Sequence, residues 1–314
     1  SSLIKNPSTD RGKLYQLGLV LKHQGLSSHA LKAIKDDRSA TTIKAALPIL
    51  MLNPKANMKH IAALAKDENL PATTRLETIA TFLRANPKAG LPILSSFFEK
   101  MPKEERKVAV ERISLSTQGA GSLTSLLNQK SITADDFSYL SASRVAASVR
   151  KNPTAAKLMK TWAVRKKAED TTMTAKVEKV AKASLLLKGN PAAGQGLFQM
   201  CLSCHAVGDQ GYSIAPALDG SATRETHALL TALLRPDVAV EGGYGLNRVI
   251  RKDGTMVEGY LYSSNDIGVT IANMGSVKTF IPKSDVKNLS SVAGKSFMPS
   301  LLNELPEQNL IDLL

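Results

Sequence analysis

The five-residue block Cys201-Leu202-Ser203-Cys204-His205 constrains this chain more than any other feature of its sequence. It contains both cysteines of the chain and one of its five histidines. Two thiols on one helical turn can add to the two vinyl groups of one haem, and the histidine that follows can bind the iron as its proximal ligand. The spacing therefore predicts one covalently bound haem c, held by Cys201, Cys204 and His205.

Three other uses of this pattern fit the rest of the sequence less well. A structural zinc site needs four nitrogen or sulfur ligands, and the remaining histidines do not have the required spacing. A thioredoxin-like dithiol follows a strand, whereas residues 191–200 have the composition of a helix. A disulfide between residues three positions apart closes a very small loop and contributes little stability. A redox dithiol and a chance pattern stay as the alternatives.

Length and charge indicate two domains with different surfaces. The chain has 314 residues, and its hydrophobic content of 43% with only 4% aromatic residues favours helices packed through Leu, Ala and Ile. Of its 41 basic and 27 acidic residues, 9 and 12 lie in residues 191–314, which leaves 32 and 15 for residues 1–190. Solvated helix faces explain the basic excess, and the alternatives are docking on an acidic partner or contact with an anionic membrane surface. No nucleic-acid-binding motif is present, so no nucleic acid is expected as a partner.

Residues 1–188 are predicted to form a domain of successive helices. Apolar residues recur at spacings of three and four in residues 43–51 and 75–84. Asn-Pro pairs recur at residues 53–54, 86–87, 152–153 and 190–191. Asn can cap a helix and Pro suits the first turn of the next helix. This spacing favours an alpha-solenoid of HEAT-like repeats, with an irregular helical bundle as the alternative. No catalytic constellation is found there, so we expect a scaffold or docking surface.

Residues 189–314 are predicted to form the second domain, around the cysteine motif. A helix precedes the motif and residues 306–314 form a final helix. Four short strands are predicted between them, at residues 245–251, 255–263, 269–273 and 277–281, joined by turns. We therefore expect a β insertion at about residues 245–285 that forms a small barrel or a curled sheet.

An electron-carrying haem needs a sixth iron ligand, usually a Met sulfur or a His nitrogen. The candidates after the motif are His227, Met256, Met274 and Met298. His227 is expected on the surface of a helix, and Met256 and Met274 are expected to pack in a strand and a turn. Met298 precedes Pro299, which favours an extended backbone at this position. We predict Met298 as the distal ligand, with a core methionine and an open iron position as the alternatives.

Several further motifs occur in a fixed order along the second domain. They are Asn190-Pro191-Ala192-Ala193-Gly194 with Phe198, the cysteine motif, Pro216-Ala217-Leu218, Leu233-Leu234-Arg235-Pro236, Lys252-Asp253-Gly254, Ile281-Pro282-Lys283 and Phe297-Met298-Pro299. This order resembles the C-terminal haem-binding (cytochrome c) domain of exported dehydrogenases of the Planctomycetes and Verrucomicrobia type, in which HEAT-like helices often precede the cytochrome.

The resemblance implies a mainly α protein whose second domain has the class I cytochrome c fold. In that fold the helix with Gly194 and Phe198 packs on the C-terminal helix, and Met298 is presented from a loop. The carbonyl of Pro216 accepts a hydrogen bond from the proximal imidazole, although an ordinary loop proline is the alternative. The chain departs from the family by having Ala215 where glycine is usual and by lacking a β-propeller dehydrogenase domain.

The resemblance also implies an electron carrier without catalytic residues of its own. Such a protein accepts single electrons from a sugar or alcohol dehydrogenase with a flavin or quinone cofactor and passes them to a respiratory acceptor. A haem peroxidase and a gas-sensing interaction protein are the alternatives. Covalent haem attachment takes place on the outer side of the bacterial inner membrane, so we expect a periplasmic or cell-surface protein.

Overall fold

Helices form most of this chain in the computed structural model, which describes residues 11–314. The chain divides into two units, Ser1–Lys160 and Thr161–Leu314. This division lies before the predicted boundary at residues 188 and 189, because Val177 and Val180 contribute to the core of the second unit. No helix in the described part of the chain is both long enough and apolar enough to cross a membrane.

The first unit consists of successive helices. These are α1 (Arg11–Val20), α2 (Leu26–Asp36), α3 (Ala40–Leu50), α4 (Pro54–Lys66), α5 (Ala72–Ala85), α6 (Pro87–Glu99), α7 (Lys103–Ser114), α8 (Thr117–Asn128), α9 (Tyr139–Ser148) and the start of α10 (Pro153–Ser184). Helices pack on their neighbours along the chain, as α4 does on α5, and on the next but one, as α3 does on α5. The HEAT-like repeat stays a prediction.

All four Asn-Pro pairs begin a helix, as predicted. The first helical residues are Pro54, Pro87, Pro153 and, in α11 (Pro191–Phe198), Pro191. Each Asn side-chain oxygen accepts a backbone N–H of the first turn, at 3.3 Å from Ala56, 3.1 Å from Ala89, 2.9 Å from Thr154 and 3.1 Å from Ala192. Such caps contribute about 1 kcal/mol each, and proline lacks the N–H that would be left without a partner there.

Helices form an apolar core in the second unit. Buried side chains of α10 pack with those of α12 (Thr226–Leu234) and α13 (Glu307–Leu313). The members of this core are Val177, Val180, Leu230, Leu234, Leu302, Leu310 and Ile311. The long α10 therefore contributes its later turns to the second unit.

The predicted strands form an open antiparallel sheet. A two-stranded ribbon, β1 (Ala206–Val207) and β2 (Gln210–Gly211), follows the cysteine motif, and the main sheet comprises β3 (Gly245–Arg251), β4 (Met256–Ser264), β5 (Gly268–Asn273), β6 (Val277–Pro282) and β7 (Val286–Ser296). The strand order is β6-β5-β4-β3-β7, so β6 and β7 are the two edges. The prediction of a barrel is therefore wrong, because closure would require these edges to pair.

The four predicted strands are confirmed within one residue at each end, but the sheet has a fifth strand. After β6 the chain crosses to the other edge, where β7 pairs with β3. The β region consequently extends to Ser296, beyond the predicted end at about residue 285. The sequence of β7 is mostly polar and largely exposed, so its alternation of apolar and polar residues is weak.

Candidate haem-attachment site

Helical turns bring the three motif residues together. The helix α11 ends at Phe198, and a 3-10 turn spans Cys201–Ser203. The backbone N–H groups of Cys204 and His205 both donate to the carbonyl of Cys201, at 3.1 Å and 2.9 Å. Two thiols and one imidazole therefore project from consecutive turns of a short stretch of backbone, as thioether attachment with axial ligation requires.

The helix before the motif packs directly on the last helix of the chain. At Gly194, an added Cβ atom would lie 1.8 Å from the carbonyl oxygen of Asp312, so only glycine permits this contact. The backbone N–H of Asn190 donates to Asp312 Oδ1 at 2.9 Å. This bond and a second from Gln308 lower the pKa of the Asp312 carboxyl. The predicted packing of α11 on the C-terminal helix is confirmed.

The imidazole of His205 is oriented by a backbone carbonyl. Its Nδ1 lies 2.6 Å from the oxygen of Pro216, as the resemblance implied. Because a carbonyl can only accept, Nδ1 carries the proton in this hydrogen bond, and in the neutral imidazole Nε2 is then the unprotonated nitrogen. An unprotonated Nε2 is the form that binds a metal ion, and a bond at the other nitrogen fixes the direction of the ring.

A tight loop over the His205 backbone places Pro216. The N–H of Tyr212 donates to the carbonyl of His205 at 3.1 Å, and the N–H of Ile214 donates to that of Cys204, also at 3.1 Å. Gly211 has a φ of +83°, and a Cβ atom there would lie 2.1 Å from the His205 oxygen. Sequence reasoning missed Gly211, although the run Asp209-Gln210-Gly211 is a turn signal that pointed to it.

The two thiols are partly buried and are not joined to each other. Burial raises the pKa of Cys201 above its ordinary value. Burial also raises the pKa of Cys204, in spite of a contact with the Ser203 hydroxyl that lowers it. Both thiols are therefore protonated at neutral pH. In the described residues no group of three or more His, Cys, Asp or Glu side chains is placed to hold a metal ion.

Met298 follows the end of β7 and is partly buried. Its backbone N–H donates to Ser296 Oγ at 3.0 Å, and the N–H of Phe297 donates to the carbonyl of Tyr244 at 3.0 Å. The Phe297 ring lies 6.0 Å from that of Tyr260, which stacks on Tyr244 at 5.4 Å. The segment is thus anchored on the sheet, while the role of Met298 as an iron ligand stays a prediction.

The other three candidates for the distal ligand have different surroundings. His227 is exposed, and its Nε2 lies 2.9 Å from Glu178 Oε1, as a surface histidine would. Met256 is buried, with 5% exposure, as expected of a packing residue. Met274 is 56% exposed instead of packed, and its 3-10 turn, Met274–Ser276, contacts the turn Cys201–Ser203.

The surroundings of the motif fit a large apolar group. No residue from 195 to 213 is fully buried, although this stretch contains several apolar side chains. Met200 and Tyr212, close to the motif, are 43% and 45% exposed, and Leu301, shortly after Met298, is 59% exposed. A haem macrocycle offers the apolar surface that such side chains can contact. Cys201, Cys204 and His205 are the residues that would hold it.

Comparison with known proteins agrees with this chemistry. Residues 191–281 match the family model for cytochrome c. The matched range contains the cysteine motif and Pro216, and it ends before Met298 and α13. No curated protein matches the chain. A domain of this family implies covalently bound haem and a role in electron transfer. Residues 191–281 therefore mark a cytochrome c domain within this chain.

Proposed function

We propose that this protein is a monohaem c-type electron carrier. It accepts single electrons from a sugar or alcohol dehydrogenase with a flavin or quinone cofactor and passes them to a respiratory acceptor. The observation that carries the proposal is the bond of 2.6 Å between His205 Nδ1 and the Pro216 carbonyl, directly after the two cysteines. This bond presets the histidine tautomer that an iron ion needs.

A haem bound here supplies an iron that gains and loses one electron. The residues of the chain determine how it is held. Cys201 and Cys204 would hold it through thioether bonds, and His205 would supply a nitrogen ligand to the iron. We assign Met298 as the second axial ligand, because its position directly after β7 is anchored by hydrogen bonds of Phe297 and of Met298 itself. One haem is assigned because the sequence has only two cysteines. A methionine opposite the histidine raises the reduction potential.

The dehydrogenase partner is proposed from the motif order described above, and the helical unit offers a surface for such a partner. A groove of about 710 Å³ between α2 and α4 is lined by apolar side chains that include Ile34 and Leu64. Lys32, Lys35 and Lys66 line the same groove. This combination favours an acidic protein segment with apolar anchors. Contact of the basic helical unit with a membrane surface stays a prediction, as does export to the periplasm or cell surface.

The test is reversible redox titration of protein matured in a host that attaches haem c. We expect one haem per chain by intact mass and a titration curve for one electron. The reduced protein should have a low-spin spectrum and should bind carbon monoxide poorly, because both axial positions are filled. A five-coordinate reduced spectrum with strong carbon monoxide binding would instead favour a peroxidase or a gas sensor.

The partner is tested separately. A purified flavin-dependent sugar dehydrogenase, given its sugar, should reduce the haem faster at low salt than at high salt, since opposite charges steer the encounter. The Lys32→Glu and Lys35→Glu double variant should lose this salt dependence, whereas an equal change of charge at Lys252 and Lys287 in the second unit serves as the control. If no dehydrogenase of this class reduces the haem, the assigned donor is contradicted.

A further inference from the structure

Asp237 lies between α12 and β3 and gathers three donors around one carboxylate. Its Oδ1 accepts the backbone N–H of Ser296 at 2.9 Å. Its Oδ2 lies 2.9 Å from the Nζ of Lys295 and 3.1 Å from the Nζ of Lys166. The Asp237 side chain is only 14% exposed, so these bonds are largely shielded from water. A shielded carboxylate with three donors is a rigid anchor for the chain that it binds.

The anchored chain is the one that carries Met298. Ser296, held through its N–H by Asp237, accepts the N–H of Met298 with its own hydroxyl oxygen at 3.0 Å. Lys166 also donates to the carbonyl of Gly294 at 2.6 Å. Asp237 and its two lysines therefore hold residues 294–296 directly and Met298 through Ser296, where regular pairing with β3 comes to an end.

We propose that Asp237 is a positioning residue, which fixes residues 294–298 so that Met298 is presented to the haem iron in one geometry. This inference rests on the proposed function, and specifically on Met298 as an iron ligand. A ligand on a loose segment loses affinity, because ordering the segment costs entropy each time the ligand binds. An anchor that orders the segment in advance removes this cost, as hydrogen bonds behind metal ligands commonly do.

The ionisation state of Asp237 is consistent with this role. Burial by itself raises the pKa of the carboxyl, but the Ser296 N–H and the two lysines outweigh burial and lower the pKa overall. Asp237 is therefore ionised at neutral pH and keeps all three donors. A neutral carboxylic acid would hold the lysines only weakly.

A second ion pair nearby provides a matched control. Arg235, two residues before Asp237, donates twice to Asp170 of α10, with both distances 2.8 Å. This pair ties the same connecting segment to the same helix. The bonds of Asp170 do not extend to residues 294–298, so we expect the Asp170→Ala variant to lose an anchor of the unit and to leave the Met298 segment in place.

The experiment compares haem-loaded Asp237→Ala with Asp170→Ala, Met298→Ala and the unchanged protein. It measures the Met–iron charge-transfer band of the ferric protein and the dissociation constant of added imidazole, which competes with the methionine for the iron. We expect Asp237→Ala to weaken the band and to bind imidazole about tenfold more tightly. Asp170→Ala should match the unchanged protein. Asp237→Asn should be intermediate, since its amide oxygen still accepts the Ser296 N–H.

The outcomes separate this inference from the proposed function. Equal imidazole affinity for Asp237→Ala and Asp170→Ala would overturn the positioning role and leave Asp237 as an ordinary ion pair. An unchanged band in Met298→Ala would reject Met298 as the ligand and this inference with it, while one-electron cycling of the haem would still support electron transfer. Should Asp237→Ala fail to fold, Asp237→Asn gives the same test, because it removes only part of the anchor.

Discussion

The helical unit and the motif segment of the cytochrome c domain are stabilised by different kinds of contact. The first unit is built around fully buried side chains, and the two fully buried phenylalanines, Phe98 and Phe137, both belong to it. Around the motif, by contrast, residues 195–213 include none that is fully buried. The helical unit thus supplies its own apolar core, whereas the motif segment is organised by hydrogen bonds and close backbone contacts around a site for a cofactor.

The contacts of the two regions also differ in sequence separation. In the first unit, neighbouring and next-but-one helices form most of the packing. In the second unit, Gly194 packs on Asp312 and Asp237 binds Ser296. A small shift at one helix interface of the first unit affects only the adjacent helices, since each helix contacts mainly its neighbours. The long-range contacts of the second unit require that distant segments meet correctly, so single polar or glycine positions carry more of its geometry.

The largest expected effect is the loss of haem from the second unit alone. The Cys201→Ser and Cys204→Ser double variant should carry no covalent haem, because no thiol is left to form a thioether. Intact mass would show the missing macrocycle, and thermal unfolding should change for the second unit but not for the helical unit. Ser203→Ala, in the same turn, should keep its haem. Covalently bound haem in the double variant would contradict the assignment.

Truncation of a core side chain in the helical unit should destabilise that unit and leave the haem site unchanged. Phe98 is fully buried in α6, so Phe98→Ala leaves a cavity and should lower the free energy of unfolding by about 3–5 kcal/mol. Denaturant unfolding followed by far-UV circular dichroism measures this, and the haem spectrum should stay unchanged. Val108→Ala, at an exposed position of α7, is the control. Equal losses for the two variants would show that the helical core is not packed as described.

Two glycines of α11 should respond in opposite directions. Gly194→Ala brings a methyl group against the Asp312 carbonyl and should cost about 1–3 kcal/mol, since α11 and α13 must move apart. At Gly196 no atom lies within 4 Å of an added Cβ, so Gly196→Ala should stabilise the helix by about 0.5 kcal/mol. Chemical denaturation of the haem-loaded protein distinguishes them. An unchanged free energy of unfolding for Gly194→Ala would contradict the close contact between α11 and α13.

The smallest effect concerns acid stability. The pKa of Asp312 is lowered from its ordinary value of 3.8 by hydrogen bonds from Asn190 and Gln308. A lowered pKa in the folded state means that the stabilisation is complete above the ordinary value and is lost as the pH falls through the folded one. Asp312→Asn should therefore reduce the melting temperature slightly at neutral pH and hardly at all in strong acid. A difference that grows in acid would have the wrong sign for this mechanism.

Sequence reasoning succeeded where a residue affects the structure of residues close to it in the chain. The Asn-Pro pairs begin helices because a side-chain oxygen caps the turn that directly follows it. The strands of residues 245–282 were found because alternation and turn residues are local signals. Pro216 was placed beside His205 by family resemblance instead, and the structure shows how the short loop with Gly211 brings them together.

The errors have a common physical cause. The sheet is open because β7 crosses over to pair with β3, and a polar edge strand has little hydrophobic pattern to announce it. Met274 was expected to pack, but its turn is exposed beside the motif, since the register of β5 and β6 determines where that turn is. Asp237 was not singled out because nothing in its local sequence indicates that Ser296 is its partner.

By itself, the sequence determined the chemistry of the attachment motif, the helix starts and most of the strands, because each depends on residues a few positions apart. Only the tertiary structure decided that Gly194 meets Asp312, that the sheet stays open, and that Asp237 holds the segment of Met298. Asp237 and Ser296 are 59 residues apart, and Gly194 and Asp312 are farther apart than that. Their contacts therefore depend on the path of the chain between them. No local preference specifies such a path, because many arrangements satisfy the same local patterns.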